Sequence, residues 1–210
     1  VSPIRTSAWQ EIITFALQNQ KVMFVNIIQT IFFLIVSPKN GWRRIIDKKI
    51  EQQEFINNFL FPIFGFIAIT TFIGGMWLTE NGGIHWALKQ AIVVVSALFG
   101  GFYLALYALN ELFPRFGLAK NLNTAQQFVG YSSVVLYLLF LIMPLLSSEL
   151  TFLWIFVIYT LYIVYVGTEE YLSVVKNKRL SFTVIVLLLI VLVPLIIKFL
   201  LESVINLLPN

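Results

Sequence analysis

The side chains that most often carry out chemistry are scarce in this sequence of 210 residues. It contains no cysteine, one histidine, His85, and one aspartate, Asp47. Disulfides, thiolate metal sites and cysteine nucleophiles are therefore excluded, and so are histidine metal clusters and aspartate-rich metal–phosphate motifs. The His-Glu-x-x-His, Gly-x-Ser-x-Gly and phosphate-binding glycine-loop motifs are also missing. We predict a protein that is not an enzyme, with no catalytic residues, no cofactor and no metal site.

Glutamates are the remaining acid–base candidates, and three of them flank apolar segments: Glu111, Glu169 and Glu170. A lipid-modifying enzyme would need a nucleophile or two carboxylates that face one another. Glu169 and Glu170 are adjacent in sequence, so on a helix they point in different directions. Acid–base chemistry on a lipid stays open only if the fold brings these three carboxylates together.

Two ionisable residues lie in or beside the last apolar segment, Lys198 and, one helical turn later, Glu202. An ionisable group inside a membrane is a functional candidate, and this pair is the main support for the alternative of a small transporter or channel subunit. The structural interpretation is that Lys198 extends towards the nearer membrane surface and pairs with Glu202. The matched halves with broken helices that many transporters carry are not seen.

The composition indicates what surrounds these residues. The chain is 59% hydrophobic and 11% charged, whereas a soluble domain is about 25% charged, so lipid is the natural solvent for its surface. A helix needs roughly 20 mostly apolar residues to cross a bilayer, and in lipid its backbone polar groups must be satisfied internally. We predict an all-α polytopic membrane bundle with five transmembrane helices, at residues 59–78, 90–109, 125–146, 150–168 and 180–201.

Residues 22–36 are apolar but short for a span. This pattern is typical of a helix lying in the membrane interface, and a sixth span that hides its polar strip against the bundle is the alternative. We divide the chain into an N-terminal cytoplasmic and interfacial segment, residues 1–58, and a five-helix transmembrane domain, residues 59–210. The polar strip, on one narrow helical face, consists of Asn19, Asn26, Thr30 and Ser37.

The positive charges indicate the orientation, because Lys and Arg concentrate in the cytoplasmic loops of membrane proteins. With five spans and a cytoplasmic N-terminus, only Lys89 and Lys198 of the 14 cations fall in the outer half. We predict a bacterial inner-membrane protein with its N-terminus in the cytoplasm and its C-terminus outside. Aromatic rings near the predicted span ends agree, since such rings prefer the headgroup boundary. They are Trp77, Trp86, Trp154, Tyr165 and Tyr171.

The segment of residues 32–53 shows this interface most clearly. Pro38 and Gly41 turn the chain after an apolar run, and Trp42 is predicted to anchor at the headgroup boundary. Four cations follow and are predicted to face anionic lipid headgroups. These are Arg43, Arg44, Lys48 and Lys49. For each cation taken alone, a flank that only sets the orientation is the alternative.

Cations of the other inner loops extend this patch. They are Arg115, Lys120, Lys176, Lys178 and Arg179. Together with Trp42 and the four cations above, they are predicted to form one cytoplasmic polar surface. We expect it to bind anionic lipid headgroups of the bilayer and another membrane or cytoplasmic protein. Nucleic acid is not an expected partner, because the charge is tied to hydrophobic segments.

Small residues indicate where helices pack closely. Ala97, Gly101 and Ala105 recur every four residues in the second predicted span. Small side chains let helix backbones approach each other in lipid, where no hydrophobic force drives helices together. Packing within the chain is one interpretation of this stripe, and a homo-oligomer face is the other.

The third predicted span carries a polar seam. Gln126, Gly130 and Ser133 share a face, with Tyr131 beside them. Such a seam could bind a lipid headgroup or a partner, or its hydroxyls could bond to the preceding turn or to a neighbouring helix. Gly130 and Tyr131 are predicted to be helix-packing residues.

Four short motifs follow one another along the chain. They are Ser37-Pro38-Lys39-Asn40-Gly41-Trp42-Arg43-Arg44-Ile45, Phe59-Leu60-Phe61-Pro62-Ile63-Phe64-Gly65, Gly130-Tyr131 and Tyr165-Val166-Gly167. In their order and spacing the chain resembles the Yip family, membrane proteins named for interacting with Ypt/Rab GTPases. The resemblance covers about residues 24–202, and Val135 stands about where the family usually has a proline.

The resemblance implies a short apolar helix followed by five spans, as in the prokaryotic branch of the family. It also implies a non-catalytic scaffold, or a membrane-organising subunit of the trafficking type. Eukaryotic members carry an acidic Tyr-Gly-Pro signature before the spans, and this signature is absent here. Binding of GTPases is therefore not implied.

Overall fold

The computed structural model describes residues 25–79 and 82–207, most of them helical, and that part of the chain contains no β-strand. α3 includes a π-helical turn at Ile56–Leu60, and α7 begins in 3₁₀ geometry that lasts to Ile158. The helices, numbered α1 to α8 in order, are Val25–Val36, Pro38–Lys48, Gln52–Trp77, Ile84–Leu112, Leu122–Ser132, Val134–Leu145, Glu149–Glu170 and Lys176–Leu207.

Four helices, α3, α4, α7 and α8, are long and apolar enough to cross a membrane. Helices α5 and α6 satisfy the same criteria only as a pair, and this pair is bent by 45°. The described part of the chain therefore has four candidate spans, or five if the bent pair crosses as one. This confirms the predicted all-α membrane bundle. Helix α1 is apolar but shorter, and whether it lies on or in the membrane stays a prediction.

The predicted third span is the one that bends. Ser133, at the bend, donates both its hydroxyl, at 2.7 Å, and its backbone N–H, at 3.1 Å, to the carbonyl oxygen of Val129. Serine hydroxyls that bond back to the preceding turn favour bending of a helix. The third predicted span therefore bends at a serine.

Helix α4 packs against α3, α5 and α8. Its small residues Ala97, Gly101 and Ala105 are all buried. A side chain at Gly101 has no room, because an added Cβ would lie 2.4 Å from Cγ of Pro194. Gly101 thus lets α8 approach within the same chain, and α8 continues as a helix through Pro194.

The two N-terminal helices belong to the same packed body as the bundle. Leu34 of α1 and Trp42 of α2 are buried in one continuous core with side chains of the longer helices. Tyr159 donates its hydroxyl to the carbonyl oxygen of Ile35 at 2.7 Å, which ties α7 to α1. The domain boundary predicted at residue 58 falls inside α3.

Candidate functional site

Several helix ends meet at one end of the bundle, which we call the cationic end. Gln126 at the start of α5 donates to the carbonyl oxygen of Gln52 at the start of α3, at 2.9 Å. Lys178 at the start of α8 donates to the carbonyl oxygen of Arg115, just after α4, at 3.0 Å. These contacts bring the predicted loop cations to the same end. The cations here are Lys39, Arg43, Arg44, Lys48, Lys49, Arg115, Lys120, Lys176, Lys178 and Arg179.

Trp42 is fully buried, which corrects the prediction that it anchors at the headgroup boundary. Its indole N–H donates to the carbonyl oxygen of Ile163 in α7 at 3.0 Å. Its ring packs on Phe128 and Tyr171, with ring centroids 5.3 and 5.2 Å away. A tryptophan that finds a hydrogen-bond acceptor and apolar walls inside the protein needs no membrane surface. Trp42 therefore attaches α2 to the bundle.

Two glycines make room for the aromatic core at this end. A Cβ at Gly167 would lie 2.5 Å from the indole Cε2 of Trp42, and a Cβ at Gly130 would lie 2.3 Å from Cζ of Phe55. Tyr131 packs edge-on against the same Phe55 ring, with centroids 5.0 Å apart. The sequence marked Gly167 only as part of a motif, because its neighbour Trp42 is far away along the chain.

Glu170, at the end of α7, holds two cations of α2. Its carboxylate lies 2.9 Å from Nε of Arg43 and 3.2 Å from Nζ of Lys39, and its side chain is only 15% exposed. Arg43 was predicted to face lipid headgroups, but its guanidinium is directed at this carboxylate. A largely buried carboxylate requires such partners, because an unpaired charge there would be costly. The pairing is a second attachment of α2, beside Trp42.

The other two glutamates under consideration also have cationic partners. Glu169 lies 2.7 Å from the guanidinium of Arg179, and Glu111 pairs with Lys120. Each of the three carboxylates, at 111, 169 and 170, thus contacts different cations. Their ion pairs join neighbouring helices and loops. This arrangement gives no support to a carboxylate pair that faces a substrate.

The predicted polar seam of the third span bonds mainly to the chain itself. Gln127 donates to the carbonyl oxygen of Ile50 at 2.7 Å and to Oδ1 of Asn123 at 2.9 Å. Gln126 holds the carbonyl of Gln52, as described above. Both glutamines are buried and fasten the short link between α2 and α3, where Lys49 adopts a left-handed backbone conformation with φ of 43°.

Some cations of this end have no carboxylate partner among the described residues: Arg44, Lys48, Lys49, Arg115 and Lys176. Two of them line a polar pocket of about 260 Å³ between α1 and α2. Lys49 lines a second, shallower groove of about 470 Å³ between the α2–α3 link, α5 and α7. Tyr171 lies in the wall of this second groove, and burial raises the pKa of its hydroxyl to about 12. The available positive charge is therefore concentrated around α2.

Lys198 and Glu202, the ionisable residues of the last span, pair with each other on α8. Both side chains are partly exposed, at 27% and 30%. An i, i+4 pair of this kind neutralises both charges within one helix. Within the described part of the chain, no other helix forms an ion pair with either residue.

Comparison with known families agrees with this architecture. The family model described as the Yip1 domain matches residues 32–197, from the end of α1 to the middle of α8. The match includes Trp42, Glu170 and Gly167, whose contacts attach α2 to the bundle. Neither curated proteins nor solved structures give a significant match. Because the family model covers well over half of the sequence, the chain belongs to the Yip1 domain family.

Proposed function

We propose that this chain is a non-catalytic membrane scaffold that binds a partner protein through its cationic end. The proposal depends on the cations at that end and on the contacts that hold the helices beneath them. Cations such as Lys49, Arg115 and Lys176 have no carboxylate partner in the described region, and they lie on a base fastened by the ion pairs of Glu170 and by side-chain amide hydrogen bonds. A rigid surface with available positive charge suits a partner with an acidic face.

Family membership supports a membrane protein without enzymatic activity. The three glutamates that could have done acid–base chemistry are occupied by cations. The alternative of a transporter or channel subunit is supported mainly by Lys198 and Glu202, which pair with each other, and by the polar seam of the third span, which bonds mainly to the chain itself.

The proposed orientation places the cationic end in the cytoplasm of a bacterium, with the C-terminus outside. It follows from the tendency of Lys and Arg to stay on the cytoplasmic side. Trp77 and Trp86, with 65% and 40% of their surface exposed, lie where α3 ends and α4 begins, at the end of the bundle away from the cationic end. Exposed rings at this position suit an aromatic belt at the membrane surface. Anionic lipids of the cytoplasmic leaflet would then surround the cationic end.

The orientation is tested by labelling single cysteines, for which the chain, lacking cysteine, is a clean background. Lys176→Cys reports on the cationic end, and Gly83→Cys, which has open space around it, reports on the other end. A membrane-impermeant maleimide should label Gly83→Cys in intact cells and Lys176→Cys only after permeabilisation. The reverse pattern would contradict the proposed orientation.

Partner binding is tested with the same two positions. A photo-crosslinker attached at Lys176→Cys should give discrete protein adducts in membranes, whereas the same group at Gly83→Cys should give none of them. Replacing Lys49 and Arg115 with glutamate should abolish these adducts, because the partner is recognised by charge. Identical adducts from both ends, or adducts that survive the charge reversal, would contradict binding of a partner protein at the cationic end.

A further inference from the structure

We propose that the pocket between α1 and α2 is a specific site for the phosphate of an anionic phospholipid, bound by Arg44 and Lys48. The pocket is lined by Asn26, Gln29 and Thr30 of α1 and by Arg44, Asp47 and Lys48 of α2. The inference rests on the proposed function, since it needs the cationic end to lie at a lipid leaflet. It goes further by naming the ligand class and the residues that hold it.

The positive charges that line the pocket are available to a ligand. Arg43 and Lys39 on the neighbouring face of α2 are held by Glu170. Arg44 and Lys48 have no carboxylate partner in the described region. Helix α2 therefore separates its cations by function, with one face docked on α7 and the other turned towards the pocket. A phosphate oxygen is a strong acceptor for both kinds of cation.

The side chains of Arg44 and Lys48 are already held in place at the pocket. The guanidinium of Arg44 lies over the ring of Phe33, 3.6 Å from its centroid. Nζ of Lys48 lies 3.5 Å from the hydroxyl oxygen of Thr30. The cation–π contact fixes the plane of the guanidinium, so its N–H groups need little reordering to bind an anion. Both cations are thus held at the pocket by neutral partners that do not cancel their charge.

The net charge of the side chains that line the pocket indicates the charge of the ligand. Asp47 lines the same pocket and contributes a negative charge beside the two positive ones. The three side chains together carry a net charge of about +1 at neutral pH. This matches the single negative charge of a phosphodiester, as in phosphatidylglycerol, better than the higher charge of a phosphate monoester.

The apolar side of α1 favours a lipid over phosphate from solution as the ligand. The opposite side of α1 lines an apolar groove of about 600 Å³ against α3 and α6. Ile28, Phe32 and Val36 on α1 are more than half exposed. Helix α1 therefore has a side suited to hydrocarbon and, across its width, the polar pocket. Phosphate groups of a leaflet lie at this boundary between apolar and polar surroundings.

The test uses the full chain, purified in mild detergent, with lipid binding followed by native mass spectrometry. Arg44→Gln/Lys48→Gln should bind phosphatidylglycerol at least about tenfold more weakly than the wild type does. The matched control Lys49→Gln/Lys176→Gln removes the same charge from the same end and should bind as the wild type does. Equal losses in the two variants would show diffuse attraction and overturn the site.

Further arms identify the ligand. Phosphatidylcholine, with no net charge, should bind the wild type weakly. Asp47→Asn should shift the preference towards phosphatidic acid, and an unchanged preference would overturn the phosphodiester assignment. Inorganic phosphate at millimolar concentration should not displace phosphatidylglycerol. Displacement would show that the pocket binds free phosphate without needing the lipid tails, and would overturn the assignment to a lipid.

Two controls keep the result interpretable. Arg44→Lys/Lys48→Arg retains both charges and should retain most of the binding, which a purely structural defect of the glutamine variant would not explain. The helical circular dichroism and elution volume of each variant show whether it is folded. Because these experiments contain no partner protein, failure here leaves the crosslinking from Lys176→Cys as a separate test of the scaffold.

Discussion

Trp42 donates its indole N–H to the carbonyl oxygen of Ile163, and its ring occupies a slot that is open because residue 167 is glycine. This contact joins α2, which precedes the first span, to the long apolar helix α7. Together with Glu170, which holds Arg43 and Lys39, it makes α2 a built-in part of the bundle. The cationic end therefore has a defined shape, on which both the proposed scaffold and the proposed lipid site depend.

The Gly167 slot gives a prediction for stability. Gly167→Ala places a methyl group 2.5 Å from the indole of Trp42, so we expect a loss of about 1–3 kcal/mol, the usual cost of overpacking. Gly65→Ala is the matched control, because it also adds a methyl to a glycine in a helix but meets nothing within 4 Å. The control should be neutral or stabilising by up to about 1 kcal/mol. Thermal unfolding in mild detergent measures both, and equal Tm values would contradict the slot.

Glu170→Gln should loosen the docking of α2. It leaves Arg43 and Lys39 without their shared carboxylate. Both cations are more than half exposed, so solvent screens these pairs, and we expect a loss of about 1 kcal/mol. Glu111→Gln breaks the pair with Lys120, in which the glutamate side chain is 68% exposed, and should change stability by less than about 0.5 kcal/mol. Chemical denaturation in detergent compares them. A Glu111 variant as unstable as the Glu170 variant would argue against the clamp.

The contact between α4 and α8 predicts that two adjacent glycines differ. Gly101→Ala would place Cβ 2.4 Å from Pro194, a rigid ring within a helix, and should destabilise by about 1–3 kcal/mol. Gly100→Ala meets only the side chain of Ile197, whose nearest atom, Cδ1 at 3.2 Å, can move aside. Its effect should be within about 0.5 kcal/mol. The reverse order in unfolding experiments would mean that α4 and α8 are packed differently.

Tyr171 predicts a dependence on alkaline pH. Burial raises the pKa of its hydroxyl from 10.0 to about 12, so the folded state favours the neutral phenol. The resulting stability is fully present below pH 10 and is lost as the pH rises from 10 to about 12, at up to about 1.4 kcal/mol per pH unit. Tyr171→Phe should lose less stability over this window than the wild type.

Tyrosinate absorbance measures this directly. The difference between the wild-type titration and that of Tyr171→Phe should reveal a phenol with its midpoint near pH 12. Tyr165→Phe, which removes an exposed tyrosine of α7, the helix that ends just before Tyr171, is the control for the substitution itself. A midpoint near pH 10 for Tyr171 would show that its hydroxyl is open to water.

Hydropathy alone determined that this chain is a helical membrane protein, because in hydrocarbon the backbone must satisfy its own polar groups within each segment. A window of apolar residues carries that requirement locally, so residues 59–78 or 180–201 needed no knowledge of their neighbours. The order of short motifs determined the family for a similar reason, since Ser37-Pro38 or Tyr165-Val166-Gly167 can be recognised without a fold.

Only the tertiary structure decided what the polar and aromatic residues do. Trp42 has the chemistry of an interface anchor in any sequence, and it became a core residue because Gly167 and Ile163, distant along the chain, provide a slot and an acceptor. Arg43 and Arg44 are adjacent and alike, yet one faces Glu170 and the other faces the α1–α2 pocket. Such differences depend on which partner the packing of helices brings within a few ångströms, and no local pattern in the sequence encodes that distance.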